Sequence, residues 1–231
     1  MSSQESGRKY PETRRDEEAV LSNTPQPVGN PYGWLENPDS EEVQEWVGRQ
    51  NEVFQGFLEP ARESGLLEKV SERYRRLLDF PRQGPPKKHG ERFYFYRNDG
   101  LQNQSVLYCQ DGPDAPARVF LDPNALAEDG TTSLGASAFS EDPCRYFAYG
   151  VQQSGSDWQT IHVMDADSLQ DTGDRCEYVK FSSIAWTHDS KGFFYSRCVN
   201  SNRKSIQKEY QLTQISNFPT KKKDTLLRLQ L

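Results

Sequence analysis

The sequence predicts an α+β chain: an N-terminal αα hairpin followed by the first two to three blades of a β-propeller, an incomplete ring. One observation behind this is a pair of matching segments, Ala138–Gly150 (AFSEDPCRYFAYG) and Ala185–Arg197 (AWTHDSKGFFYSR). At a fixed offset of 47, Ala138 falls on Ala185, Phe139 on Trp186, Asp142 on Asp189 and Phe147 on Phe194. Periods of about 40–50 residues mark propeller blades, which cannot bury their faces alone and so stack on neighbours. A second observation is texture: apolar residues recur at helical spacing before residue 82 and in short aromatic-rich runs after residue 88. A third is that RFYFY at 92–96 resembles RYFAY at 145–149, which adds an earlier copy of the repeat.

Residues 1–30 are polar and carry Pro11, Pro25, Pro27 and Gly29, the composition of an extended arm. The helical hairpin spans 31–82. Asp39 is placed to accept from the free amides of a first helical turn, with Glu42 at the capping-box position. Val43, Trp46, Val47, Phe54, Phe57 and Leu58 form one apolar stripe, and Gly65, after Pro60, breaks the run. Leu66, Leu67, Val70, Tyr74, Leu77 and Leu78 form a second stripe that stops before Pro81. Both stripes need a surface to cover, which the following β region could supply.

The partial propeller spans 88–197. Arg92–Tyr96 and Val106–Gln110 read as strands flanking Asp99-Gly100, a hairpin signal because glycine accepts the positive φ of the turn. Arg118–Leu121 reads as a strand closed by Asp122-Pro123-Asn124. The regions Ala136–Val151, Thr160–Asp165, Tyr178–Phe181 and Ser183–Arg197 continue the pattern. Beyond Arg197 the alternation stops, and residues 198–231, with Lys221-Lys222-Lys223, read as a divergent, irregular or disordered tail.

Composition excludes several classes. A net charge of −6 argues against nucleic-acid binding, which needs clustered positive charge. No apolar run reaches the ~18–20 residues that cross a bilayer, so no membrane partner is expected. MSSQESGRKYPETRRDEE lacks the apolar stretch of a secretory signal. Cys109, Cys144, Cys176 and Cys198 are widely spaced and read as free thiols, which favours the cytosol.

The candidate chemistry is sparse. No G-x-S-x-G elbow occurs, and Ser156 in SGSDW lacks the second glycine and sits between strands. Of the histidines, His188 occupies a blade-turn position, His162 alternates along a strand with Ile161 and Val163, and His89 follows Lys87-Lys88 in a solvated loop. They are too scattered for a triad or a metal, so no catalytic residue, metal or cofactor is expected. Asp142 and Asp189 recur at one repeat position, where aspartate fixes a turn. Trp34, Trp46 and Trp186 are core aromatics, and the place of Trp158, after the polar SGSD run, is left open.

Several segments together resemble the prolyl oligopeptidase (prolyl endopeptidase) family of serine peptidases: NPYGWLENPD at 30–39, GLQNQSV at 100–106, VFLDPN at 119–124, AFSED at 138–142, YFAYG at 146–150, SGSDW at 154–158 and AWTHDSKG at 185–192. The likeness runs in collinear order from about residue 8 to 197. Leu21–Gly29 and the tail depart from it. The resemblance implies an α/β-hydrolase domain, carrying the catalytic serine, aspartate and histidine, joined to a seven-bladed propeller that admits short peptides. This chain then corresponds to the N-terminal third of a peptidase that cleaves after proline, without the triad and inactive alone. The resemblance also implies that Phe181 lines the substrate cavity and that Asp157 lies near the propeller–hydrolase boundary. Core packing and turn capping are the structural alternatives for the two. The implied partners are short proline-containing peptides and the C-terminal hydrolase portion. The alternative is a non-catalytic interaction module that pairs with another chain through open sheet edges.

Overall fold

The computed structural model describes residues 10–21, 24–141, 143–198, 208–214 and 225–227. It divides between Leu77 and Leu78 into two compact units.

In the first unit the arm is anchored and partly paired. Strands β1 (Val20–Leu21) and β2 (Val28–Gly29) form a short antiparallel ladder, where the sequence suggested only an extended arm. Trp34, in a 3₁₀ turn over Gly33–Glu36, donates its indole N–H to the Arg14 carbonyl at 2.9 Å. Trp46 donates to Thr13 Oγ1 at 2.9 Å, and the two indoles meet edge to face with centroids 6.4 Å apart. Both tryptophans thereby gain a partner for the polar end of an otherwise apolar ring. Arg14 lies over Trp34 and pairs with Glu42, which ties residues 13–16 to the first helix.

That helix, α1, runs Glu41–Glu63. Its cap is Ser40, whose hydroxyl accepts from Val43 N at 3.3 Å, one residue later than the Asp39 cap read from sequence. Asp39 N instead donates to Asn37 Oδ1, so Asn37 organises the approach and leaves the cap to the serine. Gly65, at φ +68°, turns the chain into α2 (Leu66–Leu78). Val43 is buried, whereas Phe54, Phe57, Val70, Tyr74 and Leu77 remain exposed on the two stripes.

The second unit is antiparallel β throughout. The first blade combines the short β3 (Arg82–Gln83) and β4 (Lys87–His89), both paired with β5 (Arg92–Asn98), then β6 (Val106–Gln110) and β7 (Arg118–Leu121). The link from β5 to β6 is a loop from Asp99 to Ser105 in place of a tight hairpin. Buried Asn98 organises it: its Oδ1 accepts from Gly100 N at 3.0 Å and its Nδ2 donates to Gln102 O at 2.9 Å. Gly100 sits at φ +140° against Asp79, where a Cβ would collide with the carboxylate.

The second blade is the meander β8 (Ser133–Phe139), β9 (Tyr146–Gln152), β10 (Trp158–Asp165) and β11 (Asp171–Lys180). The third is β12 (Ala185–Trp186), β13 (Gly192–Cys198), β14 (Lys208–Gln214) and β15 (Thr225–Leu227). A single bridge, Val179↔Arg197, joins the two into one eight-stranded sheet. β14 pairs with β13 over its whole length, from Gly192↔Gln214 to Cys198↔Lys208, so two segments of the supposedly irregular tail complete the third blade.

Two apolar cores separate the blades. Tyr94, Leu107, Cys109 and Phe120 of the first meet Phe147, Tyr149, Met164 and Ala166 of the second. Tyr146, Ala148, Ile161, Val163, Cys176 and Val179 meet Phe193 and Tyr195 of the third, with Trp186 packed alongside. Alternate residues of β9 thus serve opposite cores, which is why the strand is an almost unbroken apolar run. Polar pins cross the same joints. Arg92 of the first blade donates to Ala166 O at 3.1 Å and pairs with Asp167 at 2.8 Å in the β10–β11 turn. From the third repeat, Trp186 Nε1 donates to Ala138 O at 3.1 Å and Ser190 Oγ to Glu141 O at 3.2 Å.

The recurrent turn is built as its residues suggest. Ser140 closes on Tyr146 through its backbone and hydroxyl, and Thr187 closes on Gly192 in the same way. Asp189 Oδ1 accepts from Thr187 Oγ1 at 2.7 Å and from Lys191 N at 3.2 Å. Asp142, its counterpart, lies outside the described residues.

Candidate functional site: the outer edge of the second blade

The β9–β10 turn and the end of β11 form one edge of the second blade. Ser154 (φ +50°) and Gly155 (φ +70°) reverse the chain, Ser156 N donates to Gln153 O, and Ser156 Oγ accepts from Trp158 N at 3.2 Å. At the far side of the edge, Tyr178 (φ +60°) and Phe181 (φ +50°) flank the last residues of β11 in the left-handed region. That conformation costs a non-glycine residue about 1–3 kcal/mol and persists where the surroundings impose it.

Trp158 and Lys180 are register partners across β10 and β11. From that position the Lys180 ammonium lies 3.4 Å from Asp157 Oδ2, 5.0 Å from the centroid of the Phe181 ring and 5.5 Å from that of Trp158. The Lys180 side chain is only 19% exposed, against 55% for Asp157. Phe181 is 63% exposed, so the ring stands out from the edge. The two residues singled out by resemblance, Asp157 and Phe181, therefore converge on one cation. Lys180 was not legible as a site residue, because its role depends on a cross-strand register that VKFS alone does not reveal.

Beside this cluster opens a concavity of about 880 Å³ whose lining includes Val151, Ser154, Trp158, His162, Arg175 and Tyr178. Arg175 forks onto Asp171 at 2.7 and 2.9 Å. His162 stacks on Tyr149, with centroids 5.5 Å apart, and its Nδ1 is 3.9 Å from Asp171. Burial lowers the His162 pKa, the Arg175 charge lowers it further, and Asp171 opposes both only in part, so the imidazole titrates below its ordinary range. Ser156 Oγ is engaged by Trp158 N and Ser154 Oγ lies 3.4 Å from Thr131 Oγ1, so neither is turned toward His162 as a nucleophile would be.

His89 departs from the solvated loop read from sequence. It is half-buried in β4, stacked on Phe139 at 4.5 Å, and burial lowers its pKa, with Lys87 adding to the effect. His188 is exposed in the turn, as its repeat position suggested. Trp158 is half-buried beneath Lys180. Among the described residues, no group of three or more His, Cys, Asp or Glu side chains is placed to hold a metal ion. Cys109, Cys176 and Cys198 are buried and Cys144 half-buried, and none of the four is in a disulfide.

Residues 11–217 match the sequence model of the prolyl oligopeptidase N-terminal β-propeller domain. The chain belongs to the prolyl oligopeptidase family. The match passes Arg197, where the motif resemblance stopped, and takes in β14, in agreement with the pairing of that strand. Among curated proteins, the chain is 37% identical over 193 residues to a prolyl endopeptidase of Elizabethkingia miricola, covering 81% of this chain and 26% of that protein. It is 38% identical over 191 residues to prolyl oligopeptidase A of Galerina marginata (strain CBS 339.88), covering 74% and 25%. The chain thus spans about a quarter of the length of these relatives. A solved prolyl oligopeptidase B from Galerina marginata, bound to a 25mer macrocyclization substrate, superposes with a TM-score of 0.72 at 30% identity, covering 89% of this chain and 32% of that one. A further structure, from a comparison of two prolyl endopeptidases, gives a TM-score of 0.74 at 28% identity, covering 94% and 32%. The family's N-terminal portion is accordingly helices followed by opening propeller blades, as the sequence predicted.

Proposed function

We propose that this chain supplies the helical entry and opening propeller blades of a serine endopeptidase that cleaves short peptides after proline in the cytosol. In this reading the hydrolytic machinery lies on a C-terminal hydrolase portion, and the 231-residue chain is inactive alone. Phe181 lines the path of the peptide, and Asp157 stands at the boundary with the hydrolase portion. The observation that carries the reading is the convergence of both residues on Lys180 at an exposed blade edge, within a domain matched along 11–217. Among the described residues no serine hydrogen-bonds a histidine, and no G-x-S-x-G occurs in the sequence, so covalent catalysis is assigned elsewhere. The test is hydrolysis of a Gly-Pro reporter by the purified chain and by any longer product captured with an antibody against Ser154–Thr160. Activity confined to the longer product is expected. Hydrolysis by the purified 231-residue chain, or none by a longer product, would overturn it.

The exposed Phe54, Phe57 and Tyr74 on the helices and Phe194 on the third blade favour a second reading, a non-catalytic module that pairs with another chain. Cooperative unfolding of a monodisperse chain would support the module; aggregation and early proteolysis would support the first reading.

A further inference from the structure

Phe181, just past the end of β11, is 63% exposed and sits in the left-handed region, yet a peptide-contacting ring has to present a defined face. A partly buried cation stands against it. Lys180 is the last residue of β11, with a side chain 19% exposed and its backbone fixed opposite Trp158. Its ammonium is within reach of three groups, the Asp157 carboxylate, the Trp158 ring and the Phe181 ring. Asp157 fixes the cation electrostatically. Both ring quadrupoles attract it, so each ring is oriented by a charge that the other ring and the carboxylate already locate. The strand pairing supplies the rigid base that a loop ring lacks.

We infer that Lys180 is a positioning residue: it sets the orientation of the Phe181 ring and thereby the fit of a short proline-containing peptide at this edge. The second half of that statement rests on the function proposed above; the first does not. Asp157 acts through Lys180, and its contribution to the edge is to hold the ammonium within reach of the rings. Methionine at 180 keeps the stem and removes the charge. Arginine keeps a cation that stacks on aromatic faces and pairs with a carboxylate.

The experiment uses the 231-residue chain with 4-fluorophenylalanine in place of phenylalanine, the Phe181 resonance being assigned by its loss in Phe181→Leu. In Lys180→Met the Phe181 fluorine signal should move toward that of a freely rotating ring, Lys180→Arg should restore it, and Asp157→Asn should move it part of the way. A fluorescein-labelled Ala-Gly-Pro-Ala peptide should bind Lys180→Met about three- to fivefold more weakly than wild type, from the loss of one exposed cation–π contact. Circular dichroism checks each fold, and Lys180→Gln substitutes if the methionine variant fails to fold. A Phe181 signal unmoved in both neutral variants overturns the positioning role. A moved signal with no peptide binding even to wild type leaves the positioning role standing and removes the peptide reading instead.

Discussion

Phe147 and Phe194 occupy the same place in successive repeats, yet the first is 2% exposed and the second 37%. Their strands, β9 and β13, share length, pairing and aromatic content. What differs is the neighbour. β9 lies in a sheet with the first blade on one face and the third on the other, so Tyr146 and Phe147 point into different cores and both are buried. In β13, Phe193 and Tyr195 enter the core shared with the second blade, while Phe194 turns to the opposite face. The same sequence pattern is thus read as core or as surface according to how many blades stand beside it. The pattern encodes a position within a stack, and burial comes only with the stack.

The largest test of this comparison is truncation at both places. Phe147→Ala should lose about 3–5 kcal/mol of unfolding free energy and Phe194→Ala about 1 kcal/mol or less, read from urea midpoints at unchanged slope. Equal losses would show that Phe194 is covered in solution and would break the contrast.

The next concerns Gly150, whose repeat counterpart is Arg197. Here a Cβ would run into the Gln159 side chain, which is buried over Gly135 and Gly150 while its Oε1 accepts from Ala136 N at 3.1 Å. Gly150→Ala should cost about 1–3 kcal/mol through that overpacking. Arg197, by contrast, lays its guanidinium 5.5 Å from the Tyr178 ring, and Arg197→Ala should cost no more than about 1 kcal/mol. Thermal melts of the two variants would sharpen or erase the difference.

A smaller effect belongs to the joint between repeats. Trp186→Phe keeps most of the ring against Tyr146 but removes the hydrogen bond to Ala138 O, at a cost of about 0.5–1.5 kcal/mol. Denaturant titration followed at the remaining tryptophans would detect it.

The smallest is a pH effect, whose larger share is expected from His162 of the second blade. Because His162 is held below its ordinary pKa, the unfolded chain binds more protons than the folded one as pH falls through about 6.5, so stability declines on acidification. His162→Gln should make that decline shallower, leaving the part due to His89. Midpoints measured between pH 8 and 5 would report it, and an unchanged slope would place His162 in a more solvated setting.

What the sequence disclosed and what it hid follow one physical rule. The central strands β5, β9 and β13 were legible because both their faces carry apolar residues. The outer strand β11 was visible only in its last few residues. DTGDRCEYVK buries little beyond Cys176 and Val179, and such a strand has almost no hydrophobic signature. β14 and β15 escaped for a related reason, since KEYQLTQ offers only Tyr210 and Leu212 in alternation, too short a pattern to mark a strand, and gains its place by pairing with β13. At the site, Asp157 and Phe181 entered through family likeness, whereas Lys180 emerged only from the β10–β11 register.

The hooks from the third repeat to the second, Trp186 to Ala138 and Ser190 to Glu141, end on main-chain carbonyls. Any preceding unit of the same shape offers those acceptors, whatever its side chains. Such a coupling tolerates any side chain on the accepting residues and depends on the donor alone, and the donor is particular to the third repeat: Phe139 stands where Trp186 does and has no N–H to give.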